Sequence, residues 1–93
     1  MTAGLSTPWF VYILRCADGS LYTGITLDVD RRCGQHNAGT ASRYTRCRLP
    51  TQIVYCETQT TRSEALKRES AIKRLRRREK DALIRLQIKI WIK

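Results

Sequence analysis

Tyr12 and Tyr22 stand ten residues apart, Arg32 and His36 four apart, and Glu69 interrupts an otherwise apolar helical stripe. These side chains can move a proton, grip an anion and hold a hard cation. A phenol or an imidazole takes part in general acid–base catalysis. A guanidinium donates two parallel hydrogen bonds to a phosphate. A lone carboxylate suits one Mg²⁺ or Mn²⁺ whose remaining positions are filled by water and phosphate oxygens. Phosphodiester hydrolysis needs all three: a deprotonated nucleophile, neutralised phosphate charge and a stabilised leaving oxygen. A free tyrosine, with a pKa near about 10, is a poor base at neutral pH. Arg32, a cation, or a hydrogen bond donated by His36 would therefore have to lower Tyr12 toward the working range.

The elements that must position these groups can be read from the pattern of residue types. Trp9 to Cys16 is rich in aromatic and β-branched residues and reads as a strand; Ser20 to Thr26 reads as a second. Ala17, Asp18 and Gly19 between them suit a three-residue loop with Gly19 in the left-handed region, which pairs Leu14 with Tyr22 and Tyr12 with Gly24. Directly opposed residues project from one face, so this register puts both tyrosines together; a two-residue turn would separate them. Asp28 to Asn37 reads as a short helix with acids at its start and Asn37-Ala38-Gly39 at its end. Arg32 and His36 flank the stripe marked by Val29 and Cys33 and so turn inward.

Gly39 to Pro50 is a polar loop with room for one helical turn around Ser42 to Arg46, and Thr51 to Glu57 reads as a third strand. Thr61-Arg62-Ser63-Glu64 matches a capping box opening a helix that runs to about Arg78. With Ala65 at the centre of its apolar side, Glu69 lies about 40° away, inside the sector that holds Ile72 and Leu75. A second stretch from Glu79 to about Lys89 packs back through Ala82, Leu83 and Leu86, with Trp91 and Ile92 as terminal anchors. The expected architecture is α+β: a small three-stranded antiparallel sheet flanked by helices, in the order β-β-α-β-α-α. It forms one domain over residues 9–93 behind a flexible leader over residues 1–8.

Eighteen Lys and Arg against 8 Asp and Glu leave +10 on 93 residues, which calls for a polyanion partner. Thirteen bases against five acids place +8 of this beyond Arg46. Arg43, Tyr44, Thr45 and Arg46 in the polar loop, and Lys73, Arg74, Arg76, Arg77 and Arg78 further on, are the candidates for gripping a nucleic-acid backbone. Cys16, Cys33, Cys47 and Cys56 form no CxxC pair, which disfavours zinc and suits free thiols in a reducing cytoplasm. The apolar run from Trp9 to Leu14 is too short to cross a membrane.

Val11-Tyr12-Ile13, Tyr22-Thr23-Gly24, Arg32-x-x-x-His36 and Arg68-Glu69 together resemble the GIY-YIG nuclease superfamily in motif order and spacing, over about residues 9 to 80. His36-Asn37-Ala38-Gly39, Tyr44-Thr45-Arg46 and Ile72-Lys73-Arg74-Leu75 are similar to segments of its short, stand-alone bacterial branch. The first tripeptide departs from Gly-Ile-Tyr and the second from Tyr-Ile-Gly, but both tyrosines are kept. The resemblance implies a metal-dependent endonuclease acting on DNA, with Tyr12 as leading candidate for the base, Tyr22, Arg32 and His36 beside it, and Glu69 holding one Mg²⁺ or Mn²⁺. Damaged, branched or single-stranded sites in DNA repair or processing are the expected targets, with low sequence preference. The rival reading is a nucleic-acid-binding module of the same fold, with little cleavage activity, targeted by a partner protein. RNA stays open as the polyanion under both.

Overall fold

The computed structural model describes residues 7–92, with side chains as far as Gln87. Most of the expected leader, and the side chains of Trp91 and Ile92, lie outside those residues. The elements follow in the order β1 (Trp9–Arg15), β2 (Leu21–Thr26), α1 (Val29–Asn37), α2 (Arg43–Arg46), β3 (Gln52–Gln59), α3 (Arg62–Lys73) and α4 (Arg77–Ile92). This is the expected α+β arrangement, with the single turn α2 added in the polar loop. The sheet is antiparallel in the order β2-β1-β3, which puts the most apolar strand in the centre.

The hairpin has the predicted register, Tyr12 opposite Gly24 and Leu14 opposite Tyr22. Its loop closes through Cys16 N–H donating to Ser20 O and Gly19 N–H donating to Cys16 O, both at 2.9 Å, with Gly19 at φ +85°. Strand alternation then sorts the two layers. Val11 and Ile13 point to a core completed by Val54, Tyr55, Ala65, Ile72 and Ile84, so α3 and α4 cover that face. Tyr12 and Leu14 point to the other, where α1 and α2 lie; both side chains are at most 1% exposed.

The ends of α1 are chemically specified. The Asp28 carboxylate accepts the Arg31 N–H at 3.1 Å as N-cap. Past the other end, Gly39 at φ +79° allows Gly39 and Thr40 to donate back to His36 O and Gln35 O. Asn37 then clamps the start of β3: its amide oxygen accepts from Thr51 N–H at 2.7 Å and Thr51 Oγ1 at 3.0 Å, and its amide donates to Thr51 O.

Three local expectations are corrected. The long helix breaks after Lys73, because Arg74 caps α3 and Arg76 opens α4 with its N–H held by the Glu79 carboxylate at 2.7 Å. The Thr61 hydroxyl caps α3 as predicted, but the Glu64 carboxylate lies 3.8 Å from the Lys67 ammonium rather than completing a capping box. On α4, which starts at Arg77 and not at the expected Glu79, the inward residue is Ile84 with Leu83 partly buried, while Leu86 is 61% exposed.

Gly24 carries the closest packing in the hairpin. A Cβ there would meet Tyr12 Oη at 2.6 Å and Cζ at 2.7 Å, and the Tyr12 ring, 1% exposed, has nowhere to retreat. Gly24→Ala should lower stability by about 1–3 kcal/mol in urea denaturation. Adding Tyr12→Phe should not restore it, because the ring carbon itself obstructs.

Candidate active site at the edge of the sheet

The site starts from β1, which delivers the Tyr12 ring across the bare Cα of Gly24. α1 delivers His36, fully buried, so that Tyr12 Oη and His36 Nε2 are 2.9 Å apart. α2 delivers Thr45, also fully buried, whose Oγ1 lies 2.7 Å from His36 Nδ1. The Thr45 hydroxyl has one proton, and Ser42 O, 3.4 Å away, is a backbone acceptor within its reach. Assigning that proton to Ser42 O leaves Thr45 to accept from Nδ1–H, and leaves the Nε2 lone pair to accept from the Tyr12 phenol. In this tautomer the order of donation is Tyr12 to His36 to Thr45 to the backbone.

Ionisation agrees with this order. Burial, assisted by the Arg32 cation, pushes His36 below its ordinary value of 6.5, so the ring is neutral at neutral pH. Burial pushes the Tyr12 phenol up to about 12; neighbouring Tyr22 and Glu69 add to this, while Arg32 pulls the other way. Arg32 lowers Tyr12 as expected but burial outweighs it, so the protein's own groups leave a neutral phenol beside a neutral imidazole.

Tyr22 joins the same cluster, its ring centroid 6.4 Å from Tyr12 and 5.0 Å from His36. Arg32 turns inward as predicted. Its Nη1 donates to Gln35 Oε1 at 3.0 Å, and its Nε is buried without a hydrogen-bond partner. An unpartnered guanidinium N–H beside a phenol is what an incoming phosphate oxygen would satisfy. Glu69, only 19% exposed at its side chain, adds negative charge at Tyr12 and pairs with Lys73 at 3.5 Å. Its neighbour Arg68 turns away to Glu57 at 2.8 Å, which fixes the rotation of α3 against β3. Tyr12, Tyr22, Arg32 and His36 thus cluster, and Glu69 lies near enough for its charge to act on the Tyr12 phenol.

The outer residues fare differently. Thr45, expected to touch nucleic acid, is buried and serves His36 instead. Tyr44 is 38% exposed and stacks on Tyr22 at 6.1 Å, while the Arg48 guanidinium sits 4.0 Å over its ring. Arg43, Arg46, Lys73, Arg74, Arg76 and Arg78 are exposed; Arg77 is exposed too but engages Asp81 at 3.1 Å. Lys80 was missed: it shares a cavity with Lys73, Tyr22 and Tyr44 because the break between α3 and α4 folds the chain back. The Arg-rich stretch masked where that break falls, which is after Lys73 and not at Arg78.

Among the described residues no group of three or more His, Cys, Asp or Glu forms a protein-only metal cage. A single half-buried carboxylate, Glu69, suits a hard cation that keeps waters and takes phosphate oxygens as ligands.

A family model described as the GIY-YIG catalytic domain matches residues 8–82. The UPF0213 protein of Desulfotalea psychrophila is 54% identical over 78 residues, covering 83% of this chain and 71% of that protein. The UPF0213 protein of Staphylococcus epidermidis is 53% identical over 75 residues, covering 81% and 92%. Among solved structures, the solution structure of a UPF0213 protein from Bacillus halodurans is 44% identical, with a TM-score of 0.55 and 85% and 84% of the chains covered. That of a protein from E. faecalis is 36% identical, with a TM-score of 0.57 and 92% and 88% covered. On the sheet, the clustered tyrosines and a match over most of its length, the chain belongs to the GIY-YIG nuclease family.

Proposed function

We propose that this chain is an endonuclease that hydrolyses DNA phosphodiester bonds with one Mg²⁺ or Mn²⁺, has little sequence preference, and works on damaged, branched or single-stranded sites in DNA repair or processing. The observation that carries this reading is the buried line from Tyr12 through His36 to Thr45, beside an unpartnered Arg32 Nε and within the field of the Glu69 carboxylate. A neutral phenol cannot itself take a proton. It can relay one: as water attacks phosphorus, its proton passes to Tyr12 Oη while the phenol's own proton passes to His36 Nε2. His36 becomes imidazolium, and Thr45 keeps Nδ1–H oriented throughout. Arg32 binds the non-bridging oxygens on which charge grows. Tyr22, beside both rings, orients the water. Glu69 would hold the divalent cation, whose chemistry is to neutralise charge on the phosphate and leaving oxygens. The exposed bases grip the backbone without reading sequence. The four free cysteines suit a reducing cytoplasm.

Purified protein should cut linear, nicked, branched and single-stranded DNA with Mg²⁺ or Mn²⁺ and not with EDTA. Arg32→Ala and Glu69→Ala should each lower cleavage by about 100-fold or more, while DNA binding persists through the diffuse contacts. If wild type and variants cut alike, the cleavage is a contaminant and a non-cleaving binding module targeted by a partner becomes the better reading.

The relay sets the pH dependence. Because His36 is held below 6.5, the neutral base persists at neutral pH, and cleavage should fall only as pH drops below that value. Stability should move the same way: the unfolded chain binds the proton more readily, so stability present above pH 6.5 is lost as pH falls through the folded value. A rate that instead climbs toward pH 12 would assign the base to a free phenolate. Thr45→Val should cut the rate by about tenfold or more and distort the acid limb, and Thr45→Ser should restore both.

A further inference from the structure

A cavity of about 260 Å³ lies against the site, lined by Leu21, Tyr22, Thr23, Tyr44, Lys73 and Lys80. Four elements build it. β2 supplies the floor, α2 brings Tyr44 from the layer that holds His36, and α3 with α4 bring the lysines from the opposite layer. It is therefore a seam at the open edge of the sheet.

Its chemistry divides in two. The Tyr22 and Tyr44 rings, 29° from parallel at 6.1 Å, both line the cavity with Tyr44 38% exposed, and Leu21 adds an apolar edge. Arg48, which is not part of this lining, lies 4.0 Å over the Tyr44 ring and holds it in place, itself fixed to Tyr44 O at 2.8 Å and to Asp18 at 3.1 Å. Lys73 and Lys80 supply two ammonium groups at the rim. A flat unsaturated ring joined to an anion fits this pairing, and a paired base, its faces already stacked, does not.

We propose that this cavity receives an unpaired nucleotide next to the bond being cut, its base against Tyr44 and Tyr22 and its phosphate at Lys73 and Lys80. This rests on the nuclease reading and deepens it. Tyr22 belongs to both places, so the strand that fills the cavity carries its neighbouring phosphate to Arg32. Selection for branched or single-stranded sites then lies within this domain.

The test separates the cavity from catalysis. DNA carrying 2-aminopurine at an unpaired position is titrated with protein in EDTA, beside a fully paired control, with anisotropy read in parallel. Stacking should quench the unpaired probe and leave the paired one unchanged. Tyr44→Ala should abolish the quench and weaken binding of unpaired DNA by about five- to a hundredfold, and Tyr44→Phe should retain both, which also excludes misfolding. Lys80→Ala should lower the slope of log affinity against log salt by about 0.7 for single strands. Equal quenching in wild type and Tyr44→Ala, or equal affinity for paired and unpaired DNA in wild type, overturns the proposal. No cleavage in the metal assay with quenching intact would sink the nuclease reading and leave the cavity standing.

Discussion

A buried histidine bonded at both nitrogens is the constraint around which this small domain is arranged. His36 is fully enclosed, and an imidazole removed from water without partners would cost several kcal/mol, roughly 2–7 for a comparable polar group. Tyr12 on one side and Thr45 on the other satisfy it. Because they come from β1 and α2 while His36 comes from α1, satisfying one ring ties three elements at one point. The Asn37 clamp on Thr51, one residue further along, ties β3 to the same helix end. Polar bonding thus organises one layer of the sheet, while aliphatic packing of Val11, Ile13, Ile72 and Ile84 organises the other.

That division explains how a chain with so little core holds a reactive site. The apolar layer supplies the burial that stabilises the fold, and its helices carry Glu69 and the two cavity lysines to the rim. The polar layer supplies groups whose protonation is set by enclosure. Low local dielectric keeps both Tyr12 and His36 neutral, and it also makes the unpartnered Arg32 Nε–H a strong donor for an incoming anion. The large positive charge read from composition is consequently of two kinds: one enclosed arginine, and a shell of solvated bases of which several are engaged by Asp18, Glu57, Glu69 and Asp81.

Much of this was legible in the sequence where local rules act alone. The three-residue turn at Gly19 decided the pairing of Tyr12 with Gly24, and helical periodicity placed Arg32, His36 and Glu69 inward. The direction of the Tyr12–His36 hydrogen bond was not legible, because it depends on Thr45, whose loop shows no periodicity and whose burial follows from packing against α1. The break before α4 was read too far along, at Arg78–Glu79, because arginines are good helix formers; its place comes from the Glu79 carboxylate taking the Arg76 N–H, a non-propensity effect. Lys80 was lost with it, since a break at Arg78 would have carried that residue elsewhere.

The tip of the hairpin is exposed, and by ordinary expectation it is where a chain tolerates insertion best. Here it is the least tolerant place. Its three residues count out the offset between strands, and only that offset sets a residue without a side chain beneath the Tyr12 ring. One added or deleted residue would slide Thr23 or Ile25 into that position and turn Tyr22 to the aliphatic layer, while every hydrophobic residue could still find a partner. The result would be a domain that folds and has lost its site, so length at Ala17-Asp18-Gly19 is information that their chemical identities alone do not carry.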